Sequence, residues 1–176
     1  MNPKTRRLHE CTQRSNSLFS LLLIAGLLLT GCSSGDEKVR DETPPPARTL
    51  EYTASVSFLN GDGSVASVID AAVADDDRSR SEGLMDVYDL PEDAGMLFIF
   101  DEEAPRSFWM AGTPLSLDIL YVNEEMEIVR IHRNTPPYSH ESIESELPAK
   151  YVIEVNAGYT LRHDITEGRR ITIERQ

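Results

Sequence analysis

The chain is predicted to adopt a mostly β fold of the α+β class: compact, mainly antiparallel and barrel-like, with one or two short helices. Three observations carry that expectation. Short β-branched or aromatic runs bounded by turn residues recur in the second half, as GMLFIF, LDILYV, YVIEV and RRITIE. The stretch LEYTASVSF alternates apolar and polar residues, the period of a strand with one buried face, and runs into NGDG. Its Asn60-Gly61 and Asp62-Gly63 pairs tolerate the positive φ of a tight hairpin turn. Third, only one segment, RSRSE behind Asp75, Asp76 and Asp77, carries clear helix start and stop signals, an aspartate at the N-cap and Gly83 at the other end.

In chain order, residues 1–31 read as a lipoprotein signal peptide. A basic region with Lys4, Arg6, Arg7 and Arg14 precedes the apolar LFSLLLIAGLLL. That run is shorter than the ~20 residues a membrane-spanning helix needs, but it suits the apolar core of a signal peptide. LTGC, Leu29 to Cys32, follows at once and resembles the lipobox of bacterial lipoproteins, which implies cleavage before Cys32 and lipidation of that cysteine. Each buried methylene of an acyl chain contributes about 0.8 kcal/mol, so several chains would anchor the protein durably to a membrane. Ser33 rather than an aspartate follows, so in a cell with two membranes the resemblance implies the outer membrane, facing the periplasm.

Residues 32–49 are polar, charged and proline-bearing, and are expected to form a disordered tether. Pro44, Pro45 and Pro46 favour an extended spacer. Residues 50–176 are expected to form one globular domain. Residues 50–74 read as a hairpin, as do LDILYV and EIVRIHR joined by Asn123, Glu124 and Glu125, and a second helical turn is expected at YTLRHD.

Composition narrows the function. The net charge of −13 opposes binding to nucleic acid, which needs clustered cations. Residues 1–31 carry +3, leaving −16 for the rest. Cys11 lies in the expected leader and Cys32 would be consumed by lipid, so no thiol is left for a disulfide, a metal or catalysis. His132, His140 and His163 lack any spacing that brings two onto one metal, and the three aspartates lack the alternation of a calcium loop. No G-x-S-x-G elbow or phosphate loop occurs, and no cofactor or metal is expected.

The blocks RSEGLM, GMLFIF, SFWM, PLSLDILYV, IHRNTPP and YVIEVNAG, in that order, resemble the domain of unknown function 192 family across about residues 65–175. The resemblance implies a compact, mostly antiparallel β fold with a small helix and no assigned activity. Arg80 matches the family's arginine before Gly83-Leu84-Met85. Where the family continues FWM with Lys-Asn-Thr, this chain has Ala111, Gly112 and Thr113, without the cation and the amide.

Candidate ligand-binding residues are Arg80, Trp109, Thr113, Asp118, His132 and Asn156. Asp118 shares a strand face with Leu120 and Val122, and if buried it must find a partner, Arg80 or another arginine first. Trp109, the only tryptophan, belongs more readily to a core than to a site. The turn at Ala111–Pro114 should bring its end of the strand near Leu117 and Asp118. Three functions fit: a non-catalytic envelope module that binds a small molecule, glycan, peptide or envelope protein; an enzyme using Asp118 with Arg80 or His132; and a purely structural envelope protein. The first is the expectation.

Overall fold

The computed structural model describes residues 47–176. The leader, Cys32 and the tether up to residue 46 lie outside the described residues.

The domain begins as the alternation indicates. β1 (Tyr52–Leu59) and β2 (Val65–Ala74) form an antiparallel hairpin around the NGDG turn. There Asn60 N–H donates to the Ser64 carbonyl at 2.7 Å, and Gly63 takes φ +85°. α1 (Asp77–Glu82) follows. Asp76 caps it, accepting from the N–H groups of Arg78 and Ser79, and the Ser79 hydroxyl side accepts from the Asp76 N–H to complete a capping box. Gly83, at φ +45°, ends it in backbone that favours glycine.

β3 (Ala94–Ala104) then lies parallel to β2, the connection through α1 serving as the crossover. After β4 (Ser107–Phe108), β5 (Leu117–Val122) and β6 (Ile128–Thr135) form the second expected hairpin. β7 (Ile143–Glu144) pairs only with β4. β8 (Ala149–Asn156) inserts between β3 and β5, α2 (Tyr159–Arg162) is a single turn, and β9 (Ile171–Arg175) returns beside β1. The main sheet has seven strands in the order β6-β5-β8-β3-β2-β1-β9.

The fold is therefore mostly β with two short helices, and antiparallel except at β2–β3. It corrects the barrel-like expectation. The edge strands β6 and β9 approach at one corner, through a bridge between Glu127 and Arg170 and a bond from Ile128 N–H to the Arg169 carbonyl at 2.8 Å. That isolated bridge does not extend into a ladder, so the sheet stays open.

Each face of the sheet carries its own core. Along β8, Ile153 and Val155 point to one face with Phe58, Leu97, Leu120 and Tyr159, while Val152 points to the other with Met96, Phe98, Ile119 and Tyr121. All six residues of β5 are buried, as expected for a strand covered on both sides. Gly95 lets β3 and β8 approach: a Cβ there would stand 2.5 Å from the Glu154 carbonyl oxygen and 2.9 Å from Ile69 Cδ1. On the second face the rings of Phe98 and Phe108 meet edge-on at 4.9 Å, and Phe108 meets Tyr121 at 6.0 Å.

Candidate functional site

α1 and the segment through β4 build a cleft on the second face. The helix presents Asp77, Arg80 and Ser81; β3 contributes Phe100; and Ser107, Phe108 and Trp109 form the opposite wall of a hollow of about 330 Å³. Trp109 corrects the expectation of a core residue, since it is 57% exposed. The reason is local: β4 ends at Phe108, which turns inward onto Phe98, and Met110 is fully buried, so the residue between them is turned out. A second hollow, lined by His140 and Ser142, lies on another side of Trp109, with the imidazole edge-on to the indole at 6.1 Å.

Arg80 is held firmly at the cleft. Its Nη1 donates to the Ile99 carbonyl at 2.8 Å, Nη2 donates to Asp77 Oδ1 at 2.7 Å, and the guanidinium lies 5.2 Å from the centre of the Phe100 ring. The Arg106 guanidinium sits at 3.9 Å from the same ring. Burial, and then the charge of Arg80, lower the pKa of Arg106.

Below this cleft a throat of about 40 Å³ runs inward past Arg80, Trp109 and Thr113 and ends at Glu154. Glu154 projects from the middle of β8, opposite Met96 of β3 and Ile119 of β5, and is 5% exposed. Burial alone pushes its carboxyl up to about 8, with no hydrogen bond or ion pair from the described residues to offset it. The sequence reading missed Glu154. The signal was present, since VIEV places one carboxyl inside an apolar strand just as LDIL does for Asp118.

The other candidates do not join this cleft. Asp118 is fully buried on the opposite face and has no arginine partner among the described residues, which corrects the expected pairing with Arg80. Its Oδ1 accepts from the N–H groups of Asn134 at 3.0 Å and Gly158 at 3.2 Å. Its Oδ2 accepts from the Thr160 N–H at 3.0 Å and the Thr160 hydroxyl at 2.6 Å. Gly158, the N-cap of α2, has no side chain to cap the turn, so Asp118 does so from β5. Backbone donors brought by the fold, which no sequence pattern displays, take the place of an arginine.

The Ala111–Pro114 turn therefore does not carry Trp109 to Asp118. It brings Trp109 together with Arg80 and Thr113, which is buried against the throat. His132 bonds the Glu144 carbonyl through Nε2 at 2.8 Å and meets the Tyr121 ring edge-on at 6.0 Å, away from Asp118. Asn156 Nδ2 donates to the carbonyls of Leu90 and Pro91, pinning the end of β8 to the loop before β3. Among the described residues no group of histidine, cysteine and carboxylate side chains has the arrangement to hold a metal ion.

A seven-stranded mixed sheet with a cleft on one face, beside the short β4–β7 pair, carries the quoted sequence blocks. The family model of domain of unknown function 192, described as Uncharacterized ACR, matches residues 58–173, and the chain belongs to that family. The structure is similar to that of a protein from Sinorhizobium meliloti 1021 assigned provisionally as a transcription regulator. That similarity has 33% identity and a TM-score of 0.67, covering 71% of this chain and 97% of that one. It is also similar to a protein of unknown function from Novosphingobium aromaticivorans DSM 12444, at 26% identity and a TM-score of 0.66, covering 73% of this chain and 89% of that one. None of the curated proteins matches.

Proposed function

We propose that this is an exported, lipid-anchored protein of the cell envelope whose domain is a non-catalytic module that binds a small molecule in the cleft between Arg80 and Trp109. One observation carries the binding reading: a half-exposed indole stands over a hollow of about 330 Å³ whose far wall is a guanidinium held by two hydrogen bonds. An immobilised arginine and a large aromatic face lose little freedom when a ligand arrives. A nucleic-acid partner, as the regulator assignment of the Sinorhizobium protein would suggest, is disfavoured by a net charge of −13.

The anchor reading rests on the apolar run and LTGC. Intact mass of the membrane fraction should show a chain beginning at Cys32 with added acyl mass, and Cys32→Ala should abolish both. An unprocessed, unmodified chain refutes the anchor. The binding reading is tested by screening small organic molecules against the single tryptophan. Hits should change Trp109 emission saturably and lose affinity in Arg80→Ala; a library that leaves the emission unmoved refutes the cleft.

A catalytic reading is favoured by one observation, the raised carboxyl of Glu154 at the end of the throat, since a protonated carboxyl can serve as a general acid. Ser107 in the same cleft is bonded to Ser142 at 2.8 Å rather than to a base. Consumption of a bound hit by the native protein, and not by Glu154→Gln, would replace binding with catalysis.

A further inference from the structure

Glu154 bears a desolvation cost that no hydrogen bond or ion pair among the described residues offsets. Tyr121, on the neighbouring strand, donates its hydroxyl to the Ile143 carbonyl at 2.6 Å. Arg80, the cation lining the throat, directs Nη1 to Ile99 and Nη2 to Asp77. The carboxyl therefore lines the throat without a hydrogen-bond partner among the described residues. The throat's volume of about 40 Å³ accommodates only a few water-sized groups, each needing roughly 10–15 Å³. Arg80 and Trp109 line both the throat and the wider cleft, so a molecule lying in the cleft reaches Glu154 only with a thin projecting group.

We propose that the cleft takes a neutral, hydroxyl-rich ligand of the saccharide class, with a sugar ring against Trp109 and one hydroxyl or hydroxymethyl group in the throat, hydrogen-bonded to Glu154. This deepens the small-molecule reading and rests on it. A hydroxyl both donates and accepts, so it satisfies a protonated carboxyl without burying a charge. An ammonium group would require an ion pair inside a narrow throat, whose desolvation opposes the attraction. It would also have to pass Arg80, with Arg106 stacked on the same Phe100 ring. The exposed indole offers a flat apolar face to the C–H bonds of a pyranose ring. At the rim, Asp77 and the remaining N–H groups of Arg80 supply the acceptors and donors that further hydroxyls need.

The groups facing Glu154 also set the pH response. α1 contributes Arg80 and Glu82 to the throat. Tyr121 of β5, outside the throat lining, feels the Glu154 charge, which after burial raises its pKa. The paired positions on β3 and β5, Met96 and Ile119, are uncharged. A ligand that fills the throat displaces the water that would solvate the ionised carboxylate, so its affinity should fall as pH rises through about 8.

The test uses the full chain in a detergent without a sugar headgroup and reads Trp109 emission. The probes are glucose, N-acetylglucosamine and its β-1,4-linked disaccharide, with putrescine as the cationic comparison. At least one saccharide should bind saturably. Its affinity should fall roughly ten-fold between pH 7 and 9, each pKa unit corresponding to ten-fold, and Glu154→Gln should remove that dependence. Glu154→Leu should weaken binding at least ten-fold at pH 7. Saccharide binding that is unchanged in Glu154→Leu and flat with pH overturns the role of Glu154 while leaving the cleft standing. Binding of putrescine alone, strengthening with pH, overturns the saccharide class. Hits from the organic library with silence from every saccharide do the same. Silence from all probes and from the library overturns both this inference and the binding reading.

Discussion

Asp118 and Glu154 lie on adjacent strands one residue out of register, β5 pairing Ile119 with Glu154 and Asp118 with Val155, and they point to opposite faces of the sheet. Both are buried carboxyl groups, yet their surroundings differ completely. Asp118 accepts four hydrogen bonds from Asn134, Gly158 and Thr160, tying β6 and α2 to β5. Glu154 accepts none from the described residues, and burial leaves its carboxyl near 8. Two similar sequence signals thus mark two different environments. A buried acid surrounded by backbone donors holds the fold together, whereas one facing a throat is a position where stability has been given up.

Removing Asp118 should have the largest effect. Asp118→Ala leaves three backbone N–H groups and the Thr160 hydroxyl without their acceptor, and should cost roughly 3–4 kcal/mol in denaturant unfolding. A cost below about 1 kcal/mol would show that water replaces the carboxylate and would erase the contrast with Glu154.

Glu154 should behave in the opposite sense. Its pKa is raised on folding, so its penalty is absent below the unfolded value of ~4.3, grows as pH rises and is complete above about 8. Glu154→Gln should match the native protein near pH 4 and exceed it near pH 9. The gain should be on the order of 2–3 kcal/mol once water admitted by the throat is allowed for. Equal stability at both pH values would mean that the carboxyl has a partner.

Gly95 sharpens the comparison at the backbone between β3 and β8. Gly95→Ala drives a methyl group into the Glu154 carbonyl and Ile69, and should cost about 2 kcal/mol, read as a fall in the denaturation midpoint with unchanged slope. No loss would mean that the two strands can separate without harm.

The smallest effect on stability belongs to Trp109. Trp109→Ala should cost less than about 1 kcal/mol, because the side chain is largely outside the core. Emission of the native protein should be readily quenched by acrylamide and iodide. Strong protection would return Trp109 to the core and close the cleft.

How far the sequence could be read follows the range of the interactions. Period-two alternation marks β1, and the NGDG turn marks its hairpin, because both signals sit within a few residues. Asp76 and Gly83 bound α1 for the same reason. The parallel pairing of β2 with β3 and the insertion of β8 between β3 and β5 leave no local trace, since many pairings suit equally apolar strands. Asp118 was legible as a carboxyl in an apolar strand, but its partners lie up to 42 residues away and are mostly backbone. Trp109 was misjudged because β4 is only two residues long, so the flanking Phe108 and Met110 decide which way it faces.

The position of β1 has a mechanical consequence. Arg48, just upstream, donates its N–H to the Asp86 carbonyl and its guanidinium to the carbonyls of Glu82 and Met85, and the chain then enters β1, which is flanked on both sides by β2 and β9. Any pull on the preceding segment therefore loads an interior strand along its length. The two ladders resist such a load in shear, many bonds at once, whereas an edge strand such as β6 would peel away one bond at a time.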